Sequence, residues 1–136
     1  MPSIDVLFVC PHGAAKSVIA AEYCRRAAAE RGVQLEAASA GVDPYDEIPE
    51  NVVVGLASEG IDVSRHKPVR LRDAILAGSC RIIAIGCDIH APEGITVTRW
   101  DEVPAVSDGF DAAREVIASN VAALVDEIAS SRAAQE

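Results

Sequence analysis

The chain has 136 residues and a formal net charge of −9. That length predicts one domain over residues 1–136, large enough to bury a real core, and that charge argues against a nucleic acid or an anionic membrane as partner, since both need a basic surface. The four cysteines are not spaced as a secreted disulfide scaffold, no CxxC occurs and the three histidines are scattered, so neither disulfides nor a structural zinc site is expected.

Residues 4–9 form an apolar, β-branched run that reads as a buried strand. The chain enters this strand at once, with no stretch suited to a signal peptide and no apolar run of membrane-spanning length, which predicts a cytoplasmic protein. A small-residue turn follows, and Val18, Ile19 and Tyr23 with an alanine-rich tract predict a helix from Ser17 to about Arg31, stopped by Gly32. Residues 34–38 read as a second strand and 39–44 as a loop. Pro49, Val52, Val53 and Leu56 mark a second helix ending at Gly60. A connection over 61–69 leads to a short helix at 71–77, stopped by Gly78; residues 81–85 and 95–99 give the third and fourth strands. Phe110, Ala113, Ile117, Val121, Leu124 and Ile128 recur at helical spacing, so the last helix is long and amphipathic, with a tail expected to fray from Ser130.

Strands alternating with helices predict a single three-layer α/β domain, with a four-stranded parallel sheet and helices on both faces. Ligands in such sheets sit at the carboxyl ends of the strands. Cys10 follows the first strand and Cys87 the third, which puts both on that edge. Cys80 precedes its strand and falls roughly 20 Å away at the opposite edge. Cys24 lies about two turns into the first helix, roughly 10 Å from its start, and reads as core.

The stretch Cys10-Pro11-His12-Gly13-Ala14-Ala15-Lys16-Ser17 therefore places a nucleophile where a strand ends and a helix begins. Successive backbone N–H groups in such a turn, with the positive end of the helix, make a cavity for an oxyanion and favour thiolate over thiol. The alternative for Cys10 is a buried strand-end cysteine acting as a small hydrophobe. Lys16 either adds its charge to the anion or is a solvated helix-start lysine. Ser17 either donates to the thiolate, caps the helix, or both. His12 lies inside the turn, where it lines substrate or favours the thiolate. His66 and His90 read as loop residues, and Arg65, His66, Lys67 and Arg70 as an exposed basic cluster.

These residues resemble the low-molecular-weight protein tyrosine phosphatases and the arsenate reductases of the same, flavodoxin-like fold, whose signature is Cys, five residues, Arg, Ser. Cys10 and Ser17 match, and Lys16 stands in the place of Arg. Ser39-Ala40-Gly41 and Gly60-Ile61-Asp62-Val63-Ser64 are similar to two further family motifs in the same order. The resemblance implies a Cys10 thiolate attacking a phosphate monoester, of phosphotyrosine type, held by residues 11–17, with no metal or organic cofactor. It also implies alternatives: arsenate reduction with Cys87 or an external thiol as resolving group and a thiol reductant as partner, or an oxyanion-binding regulatory protein without turnover. Three positions depart from the pattern. Gly13 falls where Asn is common, and Lys16 keeps the charge of Arg but not its bidentate fork. In the stretch 100–108, Ala105-Val106 falls where the phosphatases carry the Asp-Pro that protonates the leaving group. Asp101 and Asp108 are the nearest substitutes for that acid, each otherwise a loop carboxylate or, for Asp108, a cap of the last helix. The reductases need another cysteine shortly after the one matched by Cys87, and residues 88–94 contain none.

Overall fold

The computed structural model describes residues 4–76 and 79–134. Its elements in order are β1 (Ile4–Cys10), α1 (Lys16–Glu30), β2 (Ala37–Gly41), α2 (Glu50–Ala57), α3 (Leu71–Leu76), β3 (Ser79–Ile85), β4 (Thr96–Trp100), a single 3-10 turn (Val106–Asp108) and α4 (Phe110–Ala134). The four strands form one parallel sheet in the order β2-β1-β3-β4, as the alternating pattern predicts.

The central strand β1 is buried on both faces, which is why its sequence is an unbroken apolar run rather than an alternation. Val6, Phe8 and Cys10 point into the larger core with residues of α1, α2 and α4, while Leu7 and Val9 join Ala40, Ile82 and Ala74 of α3 on the other face. Small residues let α1 lie close to the sheet: Ala20, Ala21 and Ala28 are all but fully buried. Tyr23, Glu59 and Arg114 tie the helices of the larger face together. The Tyr23 hydroxyl donates to Glu59 at 2.6 Å, and Arg114 Nε donates to the same carboxylate at 3.1 Å. Burial, and then the Glu59 carboxylate, push the Tyr23 phenol up to about 12. Among the described residues no helix is long and apolar enough to cross a membrane.

Two expectations are corrected. The second strand spans 37–41, not 34–38, so the Ser39-Ala40-Gly41 stretch assigned to a loop is paired with β1, Cys10 opposite Gly41. Alanine is a weak strand former, and here the pairing is decided by the neighbouring strand rather than by local preference. The tail beyond Ser130 does not fray: α4 continues to Ala134, with Arg132 donating to the Gln34 carbonyl and paired with Asp5 at 3.7 Å. The stop predicted at Gly78 lies outside the described residues. Cys80 belongs by its backbone to the amino-terminal part of β3, at the edge opposite Cys10.

Candidate active site

Cys10 is the last residue of β1 and Lys16 the first of α1, so residues 11–15 form the turn between them at the carboxyl edge of the sheet. Gly13 adopts φ +60°, a left-handed conformation that favours glycine. A Cβ at Gly13 would stand 2.5 Å from the Gly41 nitrogen, and a Cβ at Gly41 would stand 2.5 Å from the Gly13 nitrogen. The turn and the end of β2 therefore touch backbone to backbone, and both positions must be glycine. The carbonyls of Cys10, Pro11 and His12 accept N–H bonds from Val42, Asp43 and Tyr45 at 3.3, 2.8 and 3.0 Å. With its carbonyls turned to that side, the loop presents to an anion the N–H groups that the start of a helix leaves unpaired.

Cys10 is 4% exposed and its sulfur lies 3.1 Å from the hydroxyl of the fully buried Ser17. A serine at this distance from a thiolate donates its proton to it and lowers the cost of that charge. Above the cysteine opens a cleft of about 270 Å³. Ala14, Ala15 and Lys16 join Cys10 in its lining, His12 and Tyr45 form one wall, and Ala105, Val106 and Ser107 another. The His12 and Tyr45 rings are stacked, 4.1 Å between centroids and 6° between planes, and His12 Nδ1 is 3.0 Å from the Asp43 carbonyl. Asn51 reaches the Val106 carbonyl at 3.4 Å and steadies the opposite wall.

Lys16 is held in a way the sequence does not reveal. Its Nζ donates to the Val103 carbonyl at 3.1 Å and lies beside Gly86, so the ammonium spans from the turn to the stretch that carries Ala105. The two carboxylates considered as acids are not brought to Cys10. Asp101 is paired with Arg99 at 3.2 Å, Asp108 closes the 3-10 turn, and neither lines the cleft. The capping position of α4 falls to Gly109 rather than Asp108, and the Gly109 carbonyl accepts from Ala113.

Cys87 is half-buried just beyond β3, and its thiol donates to the Val9 carbonyl at 3.7 Å. It packs with Val9 on the smaller core while Cys10 faces the larger one, so the two thiols approach from opposite sides of the end of β1. Burial, then the negative charge of Cys10, raise the Cys87 pKa, with Arg99 opposing. Cys24 is buried in α1 and its thiol is pushed up to about 12 by desolvation, which makes it inert. His66 Nε2 lies 3.4 Å from the Ser39 hydroxyl, and burial, then Arg25, lower its pKa. Arg65, Lys67 and Arg70 do not line the cleft. Tyr45, Pro49, Asn51 and Ser107 do, and sequence reading missed them. An aromatic residue in a proline-flanked loop was the one available signal, for Tyr45.

A profile of the family described as low molecular weight phosphotyrosine protein phosphatase matches residues 5–95. Curated proteins give no match to the chain. Among solved structures, an arsenate reductase from Archaeoglobus fulgidus DSM 4304 aligns with a TM-score of 0.76 at 30% identity, over 90% of this chain and 99% of that one. A thioredoxin-dependent arsenate reductase from Corynebacterium glutamicum gives 0.75 at 28% identity, over 96% of this chain and 64% of that one. A low molecular weight protein tyrosine phosphatase from T. tengcongensis shares the fold, with a TM-score of 0.69 at 23% identity over 95% of this chain and 99% of that one. Together with the strand-to-helix cysteine turn, these likenesses mean that the chain belongs to the low molecular weight phosphotyrosine protein phosphatase family.

Proposed function

We propose that the protein is a cysteine-dependent phosphatase acting on phosphate monoesters with an aryl or other apolar leaving group. One observation carries this reading: the Cys10–Ser17 pair lies at the bottom of a cleft whose walls beyond the cradle are mainly apolar and include the stacked His12–Tyr45 rings. A free oxyanion needs only the cradle, whereas an ester brings an organic group that buries surface against such walls. The Cys10 thiolate attacks phosphorus, the sulfur–phosphorus bond forms as the ester bond breaks, and water then releases phosphate and restores the thiolate. The turn N–H groups hold the equatorial oxygens throughout, which is a preorganised electrostatic role.

A second reading, arsenate reduction, is favoured by the Cys87 thiol set on the peptide that carries Cys10 and by the arsenate reductases among the similar structures, two of them at 28–30% identity. In it Cys10 displaces hydroxide, as water, from arsenate. A second thiol, Cys87 or an external one, then attacks the Cys10 sulfur, and the electron pair of the sulfur–arsenic bond leaves with arsenic as arsenite. The resulting disulfide needs a dithiol reductant of thioredoxin type. Joined to Cys10, Cys87 must rotate away from Val9.

Two assays on wild type, Cys10→Ser and Cys87→Ser separate these readings. The phosphatase gives Cys10-dependent hydrolysis of 4-nitrophenyl phosphate that Cys87→Ser leaves intact. The reductase gives arsenate-dependent consumption of NADPH through thioredoxin and its reductase, lost in Cys10→Ser and lowered in Cys87→Ser where the relay is internal. Phosphate binding without turnover in either assay refutes both and leaves an oxyanion-binding protein.

A further inference from the structure

Among the residues lining the cleft no side chain is a carboxylate, and its titratable members are Cys10, His12, Lys16 and Tyr45. Cys10 is the nucleophile, the Lys16 ammonium is bonded to the Val103 carbonyl, and the Tyr45 ring backs His12. We propose that His12 is the proton donor to the leaving oxygen, replacing the carboxylic acid absent from position 105. The proposal rests on the phosphatase reading and names the group that this chain uses to complete it.

Three contacts hold the imidazole in place. A backbone carbonyl only accepts, so the 3.0 Å contact with Asp43 puts a proton on Nδ1 and leaves Nε2 as the atom that takes and gives the exchangeable one. The parallel stack on Tyr45 fixes the ring plane. The Tyr45 N–H donates to the His12 carbonyl at 3.0 Å, which ties both residues to one backbone link. An acid so fixed lines the same cleft as the nucleophile and follows it by two residues in the chain. Facing it are the Cys10 thiolate and Lys16 from the turn and α1, and Tyr45 from the neighbouring segment. Asp43, Asp46 and Glu47 lie on that same segment.

As the Cys10 sulfur bonds to phosphorus, the ester oxygen leaves with the bonding pair and takes the proton of Nε2, so imidazolium becomes imidazole. In the second half Nε2 takes a proton from the attacking water while the sulfur–phosphorus bond breaks and its pair returns to Cys10. The sum is ester plus water to alcohol plus phosphate, with His12 restored.

The test compares kcat/KM for phenyl phosphate, whose leaving group must be protonated, and 4-nitrophenyl phosphate, whose leaving group is stable as an anion. His12→Asn and His12→Gln are expected to cut the phenyl phosphate rate by roughly 10²- to 10⁴-fold and the 4-nitrophenyl phosphate rate far less. Asp101→Asn and Asp108→Asn should leave the ratio of the two rates as in wild type. Equal losses on both esters in the His12 variants, or a selective loss in Asp101→Asn or Asp108→Asn, overturns the assignment. Hydrolysis by wild type that survives Cys10→Ser, or no hydrolysis at all, refutes the phosphatase reading and the His12 role with it.

Discussion

Replacing Gly41 by alanine tests whether the anion turn is shaped by backbone contact with β2. The added Cβ would meet the Gly13 nitrogen at 2.5 Å, the His12 carbonyl carbon at 2.6 Å and the Gly13 Cα at 2.9 Å, all of them backbone atoms. Restoring ordinary contact at 3.4 Å requires a shift of about 0.9 Å. Neither side yields easily. Gly41 is paired with Cys10 and donates to the Val69 carbonyl at 2.8 Å, and the turn is pinned by the bonds from Asp43 and Tyr45. Overpacking of this kind costs about 1–3 kcal/mol. At roughly 4 °C per kcal/mol for a chain of this length, the midpoint should fall by about 4–12 °C. The same shift displaces the N–H groups of the cradle, so phosphate affinity should fall at temperatures where the variant is fully folded. Thermal melts followed by circular dichroism, with phosphate titrations observed on backbone amides, read both effects. A Gly41→Ala protein with the wild-type midpoint and wild-type phosphate shifts at Gly13 to Ser17 would refute the argument. Gly32→Ala is the control: it has φ +68° but nothing within 4 Å of a Cβ, so it carries only the conformational cost of about 1–2 kcal/mol and leaves phosphate binding unchanged.

Lys16→Met should loosen the stretch beyond β4, seen as a changed emission of the single tryptophan, Trp100, while phosphate affinity falls only a few-fold because backbone groups hold the anion; a loss near a hundredfold would show that Lys16 grips the anion directly. Lys16→Arg should raise phosphate affinity, since a guanidinium has donors enough for the Val103 carbonyl and an oxyanion together; unchanged binding in a phosphate titration would show that the cation is not limiting. Partial burial raises the Glu59 pKa, but hydrogen bonds from Tyr23, Arg114 and Arg26 outweigh it and the net shift is downward. The stability this gives is complete above the ordinary glutamate value of about 4.5 and is lost as pH falls through the lowered one. Glu59→Gln should therefore flatten the acid limb of urea midpoint against pH, and an unchanged limb counts against the cluster. In Cys10→Ser the negative charge that helps raise the Cys87 pKa is gone, so alkylation of Cys87 by iodoacetamide at fixed pH should speed up, as mass spectrometry can follow; an unchanged rate would mean that the two thiols do not sense each other.

The alternation of elements, the parallel sheet and the edge shared by Cys10 and Cys87 were legible because each rests on patterns local in sequence: an apolar run, a capped helix, a glycine stop. The limits of β2 were not. Ala-Ala-Ser-Ala-Gly carries no strand preference, and the pairing of Ala37 with Val6 and Gly41 with Cys10 is a property of the neighbour. The end of α4 escaped for the same reason, because Arg132 is held by Asp5 and Gln34, about a hundred residues earlier in the chain. In the site, Cys10 and Ser17 were legible from their fixed spacing across the turn. Tyr45, Asn51 and Ser107 were not, since a loop, the start of α2 and the 3-10 turn, all distant in sequence from Cys10, bring them to the cleft.

The departures from the family signature act on different parts of the chemistry. The Gly13 and Gly41 contact concerns the shape of the cradle, and with two glycines in mutual contact a Gly13 side chain has no room unless β2 moves. The turn of this chain is thus shaped by backbone contact, and an oxyanion bound there would meet the dipoles of its N–H groups. Lys16 donates to the Val103 carbonyl and so ties the turn to the stretch that carries Ala105. On the phosphatase reading, charge that develops on the phosphoryl oxygens meets N–H groups and the end of α1, which suits binding. On the His12 proposal, charge that develops on the leaving oxygen meets the imidazole, since no carboxylate lines the cleft. On that proposal binding and leaving-group protonation are separable, and substitutions in the cradle and at His12 are expected to act on different steps.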